Sequence, residues 1–510
     1  MKQRRIGAWL LAAGAALLGA VGYHLARRRR PVEREVKMPN PDTVGELPIP
    51  PTPPPEQTQP FRPWLAALPP LAAALGLICW TLAQARLPES RQPVLPLLLY
   101  GGGLALLLPA LRFRPPTAEP RGENEPVVRP FAVWGATVVL ASMFTAAAVL
   151  AQTPASPALP VEITQRDSAF LFEYLQTQVA VDWGAVFAVL LVPAVVLLVS
   201  RFEAGAVGHR RRLNLTGLLA GGFLAVSGWP LALAKTGGVY MALAFFTARL
   251  LAALADWFAA NPTRADTPLL RVVTCFALLL LVTWLVSPLF GVLALLLPVF
   301  NLLYLLEHRF SRRQIVLGVG GALVLALPFL LALNTALVTN SLTQAAADGL
   351  SPALALLDSL AASLLLFNLT GDPNPLHGIF DRPVFSPALA ALFVFGLLAW
   401  MARIRSARRW LDGLPPVALI VGLLPSALAA PYPDAQRAAL ALPSALFFAA
   451  YGAAFLVRML VRRLGSLGAA LALWLLLAAL ALTAADAHRH YTAVFLPTAQ
   501  QAAYMLEMPH

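Results

Sequence analysis

Charged residues are scarce in this sequence. Asp, Glu, Lys and Arg make up 12% of the 510 residues, whereas hydrophobic residues make up 58%. So little charge leaves too small a polar surface to face water, which excludes a water-soluble globular fold. The basic excess, 38 residues against 25 acidic ones, comes from short arginine clusters between apolar runs. This arrangement is typical of a membrane protein and argues against a nucleic-acid partner.

Cysteine and metal-binding motifs are scarce as well. Cys79 and Cys275 each lie inside an apolar run, so neither a disulfide nor a cysteine-ligated metal is expected. No HExxH motif occurs, and the one HxH pair, His488 with His490, stands alone near the C-terminus. We therefore expect neither a metal site nor a cofactor.

The apolar runs themselves predict the fold class. They extend over about 17 to 25 residues without alternation, which is long enough for a helix to cross a hydrocarbon core of about 30 Å. The prediction is an all-α, polytopic integral membrane protein with about 13 to 14 transmembrane helices. The predicted spans are 7–26, 64–84, 92–112, 131–151, 181–201, 214–234, 238–257, 268–286, 288–306, 314–335, 385–403, 414–430, 438–457 and 466–485.

Arginine placement predicts the orientation of these spans. Four clusters fall on one side when the spans are counted, and positive-inside bias assigns that side to the cytoplasm. The segments 152–180, 336–384, 431–437 and the tail from about 486 are then expected outside, in a plasma membrane that we expect to be bacterial. The clusters lie at 210–212, 309–313, 403–409 and 458–463.

The N-terminal region is expected to be distinct from the main bundle. Residues 1–30 read as a membrane anchor, although a cleaved signal peptide is the competing interpretation, which the arginines at 27–30 oppose. Residues 31–63 form a Pro-rich cytoplasmic linker, because dense proline favours an extended chain. A two-helix hairpin with a basic loop follows at 64–129, then a transmembrane domain at 130–485 and an extracytoplasmic tail at 486–510.

Candidate functional residues collect in the outer segments. The first offers Glu162 and Asp167, for which ordinary loop charge is an equal alternative because their spacing is not diagnostic. In GDPNPLHG, a structural turn capped by Asp372 is favoured over a ligand site, since Gly, Asp, Pro and Asn are turn residues. Arg437 opens an apolar span at the outer interface, where arginine is disfavoured, and therefore suggests a function.

Three outer segments resemble the multi-span glycosyltransferases of the GT-C type, in particular the family 39 proteins similar to protein mannosyltransferases. FNLTGDPNPLHGIFDRPVFSP resembles that family's GDxNxxHxxxxRP segment, and LLPSALAAPYPDAQRAALALP resembles its span, short loop with an arginine and second span. LAVSGWPLALAKTG resembles more weakly its SPWHxxxSRxG stretch, with Lys235 in place of the arginine. The matching residues are Ser227, Trp229, Gly237, Gly371, Asp372, Asn374, His377, Arg382, Pro383, Arg437 and Pro443.

The resemblance implies sugar transfer from a polyprenyl-phosphate donor, held among membrane lipid, to an acceptor on the extracytoplasmic side. Asp167 or Glu162 would be the catalytic base. The implied substrate-binding residues are Arg437, Arg382, Lys235, Asp372 and His377.

Two other functions stay open. The family usually carries an adjacent Asp-Glu pair in its first outer loop, whereas Glu162 and Asp167 are separated by four residues. A catalytically silent subunit that retains the fold is therefore one alternative. A lipid or polysaccharide transporter is the other, and it would be expected to contain discontinuous helices near the middle of the membrane.

Overall fold

The computed structural model describes ten stretches of the chain, all of which belong to one compact unit, residues 67–510. Their regular secondary structure is helical, as the apolar runs predict. The stretches are 75–76, 137–147, 183–204, 214–236, 238–258, 266–286, 352–374, 382–407, 410–428 and 433–497. The predicted spans 7–26, 92–112, 288–306 and 314–335, nearly all of 64–84, and the predicted anchor and linker lie outside them.

Ten α-helices, one 3₁₀ helix and one π-helical turn fill the described residues. The two short elements are the 3₁₀ helix Arg437–Ala441 and the π turn Tyr491–Phe495. The α-helices are α1 (Thr137–Ala147), α2 (Trp183–Ala204), α3 (Leu215–Val226), α4 (Gly228–Thr236), α5 (Gly238–Phe258), α6 (Asp266–Val286), α7 (Pro352–Leu365), α8 (Pro387–Ala407), α9 (Trp410–Ala427) and α10 (Leu442–His490).

Several helices match the predicted spans closely. Among the described helices, with α10 counted once, four are long and apolar enough to cross a membrane, and a bent pair raises the number to five. Helix α5, for example, covers Gly238–Phe258 where 238–257 is predicted. Proline is the first residue of both α7 and α8, a position that proline suits because the amide of the first turn needs no intrahelical acceptor.

Two features of the helices differ from the prediction. The run 214–234, predicted as one span, forms two helices, α3 and α4, that meet at 53°. Ser227 lies at the break in extended conformation, with φ −76° and ψ 140°. The second difference is α7, a 14-residue helix inside the segment 336–384, which is predicted as an outer loop. Its apolar run is shorter than a membrane crossing requires.

Helix α10 consists of two antiparallel helices. Its 49 residues would extend over about 74 Å if straight, more than twice the thickness of a bilayer core. Gly465 divides it with φ 58° and ψ −130°, a conformation that glycine adopts without a steric penalty. The chain reverses there, because Gly468 packs against Leu460 and the second half, 466–490, runs back along α3 to Gly228. This agrees with the predicted spans 438–457 and 466–485.

A close helix crossing joins α8 to the first half of α10. A β-carbon on Gly452 would lie 2.8 Å from the Gly396 nitrogen and 3.0 Å from its Cα, closer than packed atoms tolerate. The two glycines therefore let the backbones touch, as small residues do between membrane helices.

Ion pairs join the helices at one end of the bundle, which we call the basic end. Aromatic rings connect two of them, because Arg458 lies 6.0 Å from the Tyr451 centroid and Arg403 lies 4.5 Å from the centroid of Trp400, which packs edge to face on Tyr451. Arg403 and Arg458 belong to two of the four arginine clusters, so their position agrees with the predicted common side. The pairs are Arg201 with Asp256 (3.0 Å), Arg403 with Asp412 (3.5 Å) and Arg458 with Glu203.

Candidate functional site

The candidate site lies at the opposite end of the bundle, around the loop that precedes the 3₁₀ helix. We call this loop, residues 433–437, the Arg437 loop. Side chains from α4, from the turn after α7 and from α9 converge on it. They come from segments that are far apart in the chain, so the site exists only in the folded bundle.

The Ala435 peptide is held from both sides. The Asp372 Oδ2 atom accepts a hydrogen bond from the Ala435 nitrogen at 2.6 Å, and the Trp229 Nε1 atom donates one to the Ala435 oxygen at 3.1 Å. Asp372 is 1% exposed and Trp229 is fully buried, so water does not compete with either bond. A buried carboxylate and a buried indole thus fix the two peptide units that meet at Ala435.

Asp372 also forms the turn in which it lies. Its Oδ1 atom accepts a hydrogen bond from the Asn374 nitrogen, two residues on, at 2.8 Å. This is the side-chain-to-backbone turn that aspartate favours, and it confirms the predicted structural turn in GDPN. Each Asp372 oxygen therefore accepts a backbone N–H, one from its own turn and one from the Arg437 loop.

Asp434 orients Arg437 with both of its oxygens. Oδ1 accepts a hydrogen bond from the Arg437 backbone nitrogen at 2.9 Å, and Oδ2 lies 3.2 Å from the guanidinium Nε. The Asp434 nitrogen donates to the Ser426 Oγ atom at 2.9 Å, and Ser363 Oγ donates to Ser426 Oγ at 3.2 Å. The loop is thus attached to α9 and, through Ser363, to α7.

Aromatic rings form the floor beneath the loop. The Trp229 ring meets Phe367 at 5.6 Å and Phe385 at 6.1 Å, edge to face in both cases, and Phe367 meets Phe385 at 5.2 Å. Edge-to-face contacts of this kind are favourable beyond the area they bury. The Val384 nitrogen also donates to the Leu366 oxygen at 2.9 Å, which joins the chain after α7 to the chain before α8.

The terminal nitrogens of the Arg437 guanidinium form no hydrogen bond to another residue in the described part of the chain, and Nε lies 3.2 Å from Asp434 Oδ2. The side chain is 28% exposed. An exposed guanidinium edge of this type presents parallel N–H donors to a phosphate or a carboxylate. The arrangement can therefore bind an anion.

The other predicted binding residues occupy different places. Arg382 interacts electrostatically with Asp486 in the second half of α10, next to a buried hydrogen bond of 2.8 Å between Ser386 and Thr483. Lys235 is half-buried in the last turn of α4, one residue after Ala234, which packs against Gly184 at the start of α2. The structure thus brings Asp372 to the Arg437 loop, whereas the charge of Arg382 acts on Asp486 in α10.

The predicted base residues, Asp167 and Glu162, and the predicted ligand His377 lie outside the described residues and stay predictions. Within the described stretches, no three His, Cys, Asp or Glu side chains are grouped as metal ligands.

Sequence analysis missed the part that Trp229, Ser363 and Ser426 have in the site. The sequence singles out Trp229 only through the family resemblance, and it does not single out either serine. Their hydrogen bonds reach residues far along the chain, 206 residues away for Trp229, and local pattern carries no sign of such partners. A tryptophan beside a Ser-Gly pair in an apolar run was the one available signal.

No family model, curated protein or solved structure matches this chain. The resemblance to GT-C glycosyltransferases therefore rests on the three sequence segments alone and stays an expectation.

Proposed function

We propose that this chain is a multi-pass membrane glycosyltransferase that moves a sugar from a polyprenyl-phosphate donor to an acceptor on the extracytoplasmic side of a bacterial plasma membrane. One observation carries the proposal. The three segments that resemble the GT-C family meet at the Arg437 loop, through Trp229, Asp372 and Arg437. Helices of membrane-crossing length support the same reading.

The donor phosphate would bind the terminal nitrogens of Arg437, while its prenyl chain would lie among the apolar helices. Asp434 holds the guanidinium by Nε and so leaves the donors that suit a phosphate. In the transfer step the acceptor hydroxyl oxygen bonds to the anomeric carbon and the bond from that carbon to the phosphate oxygen breaks. Asp167 or Glu162 would take the hydroxyl proton, and polyprenyl phosphate would leave.

Donor binding is the first test. The protein is purified into nanodiscs with undecaprenyl phosphate, and the bound lipid is measured by native mass spectrometry. Arg437→Ala should weaken binding about tenfold or more, because a hydrogen bond to a charged group contributes about 1.5–3 kcal/mol. Arg463→Ala, which removes an exposed arginine at the end of the first half of α10, is the matched control and should bind normally. Equal affinity in both variants would overturn the assignment of the phosphate site.

Sugar transfer is the second test. Proteoliposomes containing a labelled polyprenyl-phosphate hexose are incubated with cell-envelope acceptors, and release of polyprenyl phosphate is followed. Asp167→Asn or Glu162→Gln should abolish transfer and leave donor binding intact. Unchanged turnover in both variants would remove these carboxylates from the mechanism. A polyprenyl-phosphate sugar that co-purifies with the detergent-extracted protein would support the same class of function.

One observation favours the transporter alternative. Helices α3 and α4 form a discontinuous pair bent by 53°, and transporters often place such breaks at substrate sites. The break here is covered, since a β-carbon on Gly228 would lie 3.4 Å from the Ala487 Cα. A flipping assay with a fluorescent lipid-linked sugar separates the functions. A transporter moves the labelled lipid without breaking its sugar–phosphate bond, and a silent subunit does neither.

A further inference from the structure

We infer that Asp372 is a positioning residue that fixes the direction of Arg437 by clamping the Ala435 peptide against Trp229. We call Asp372, Ala435 and Trp229 the peptide clamp. The inference rests on the proposed function in so far as Arg437 is the donor-phosphate residue. It assigns to Asp372 an action through the loop rather than through contact with a substrate.

Ala435 lies between Asp434 and Arg437, the two residues that the clamp would position. The Asp434 carboxylate holds the Arg437 backbone nitrogen and Nε. Rotation of the peptide unit between Asp434 and Ala435 would therefore move Asp434, and the guanidinium with it. The Asp434 nitrogen is itself held by Ser426, so consecutive peptides of the loop are fixed by buried side chains.

The carboxylate of Asp372 suits this task in a way that an amide would not. It accepts two backbone N–H groups, from Asn374 and from Ala435, on separate oxygens at 2.8 and 2.6 Å. An asparagine has one oxygen and would turn an NH₂ group towards the second N–H. Asp372→Asn keeps the volume, removes the charge and must break one of the two bonds.

Trp229 completes the clamp because it cannot move easily. Its ring is buried between Phe367 and Phe385, and its one donor points at the Ala435 oxygen. Because the packed rings hold the indole in place, its hydrogen bond also restricts the motion of the Ala435 carbonyl. Trp229→Phe would keep most of the ring packing and remove only that donor.

Hydrogen exchange tests the clamp without any ligand. In the full-length protein in nanodiscs, Asp372→Asn should accelerate exchange of the Ala435, Ala438 and Ala439 amides about tenfold. Asp358→Asn, the same substitution on α7, is the matched control and should leave these amides unchanged. Trp229→Phe provides a second variant should Asp372→Asn fail to fold, and it should accelerate the same amides. Unchanged exchange in the variants that fold would overturn the inference.

A double-variant cycle tests whether the clamp acts through Arg437. Binding of undecaprenyl phosphate should weaken about five- to tenfold in Asp372→Asn and should not weaken further when Asp372→Asn is added to Arg437→Ala. Additive losses would overturn a role through Arg437. If Arg437→Ala binds as tightly as the unmodified protein, the proposed donor site is wrong, and the exchange measurement still decides whether Asp372 holds the loop.

Discussion

Replacing Gly452 by alanine should destabilise the bundle, although alanine is the better helix former. The added β-carbon would overlap the Leu392 carbonyl oxygen and would lie 2.8 Å from the Gly396 nitrogen. These are backbone atoms, so no side-chain rotation relieves the contact and α8 must move away from α10. Overpacking of this kind costs about 1–3 kcal/mol, more than the roughly 1 kcal/mol that alanine gains over glycine in a helix.

Gly222→Ala is the matched control for this prediction. It makes the same change in the middle of α3, where the nearest atom to the new β-carbon would be Leu480 Cδ2 at 3.7 Å, an ordinary contact. This variant should gain up to about 1 kcal/mol. Thermal midpoints of the detergent-purified proteins, followed by tryptophan fluorescence, should therefore shift in opposite directions. If Gly452→Ala is as stable as Gly222→Ala, the close crossing of α8 and α10 is wrong.

Four further substitutions test three other contacts, all by the same thermal measurement. Trp400→Phe leaves the buried Asp412 carbonyl without its 2.8 Å donor and should cost about 1–3 kcal/mol; an unchanged midpoint would contradict this bond. Arg458→Met and Glu203→Gln each remove the same ion pair. The stability lost in the double variant should therefore be smaller than the sum of the two single losses, by at least about 0.5 kcal/mol. Strictly additive losses would argue against the pair. Gly465→Ala forces a β-carbon into positive φ and should cost about 1–2 kcal/mol, whereas a stable variant would exclude that turn.

Helix positions were the part of the fold that sequence predicted best. Runs such as 238–257 are bounded by a Gly pair and a polar loop, and their apolar length alone fixes a helix of membrane-crossing size. The structure moves such bounds by a few residues, as for α2, which covers Trp183–Ala204 where 181–201 is predicted. The arginine clusters also predicted a common side for Arg403 and Arg458, and the structure places both at the basic end, where each forms an ion pair.

Apolar length alone does not predict the break between α3 and α4, but one residue in the run does. Pro230 lies inside residues 214–234 and has no amide to donate to the Val226 carbonyl, so a straight helix through this point is disfavoured. Two contacts with distant residues accompany the bend. Trp229 donates to Ala435, and Gly228 packs against Ala487. These distant partners could not be predicted from the local sequence.

The candidate site was predicted in part. Asp372 and Arg437 were singled out by turn composition and by an arginine in an unfavourable place, and the structure brings their segments together. The contact between these two segments could not be predicted. An aspartate that only closes a turn looks the same in sequence as one that also accepts a hydrogen bond from a backbone amide 63 residues away. The serines at 363 and 426 are inconspicuous among many other small residues.

The reversal at Gly465 sets an order of assembly. Every side chain of the peptide clamp, and Arg437 itself, is synthesised before the second half of α10 emerges from the ribosome. That half packs on α3 and α4 with a largely uncovered outer face, on which Trp474 is 72% exposed. The Arg437 loop can therefore be complete while residues 466–490 are still unmade, and that half then packs against Ser386 and Gly228.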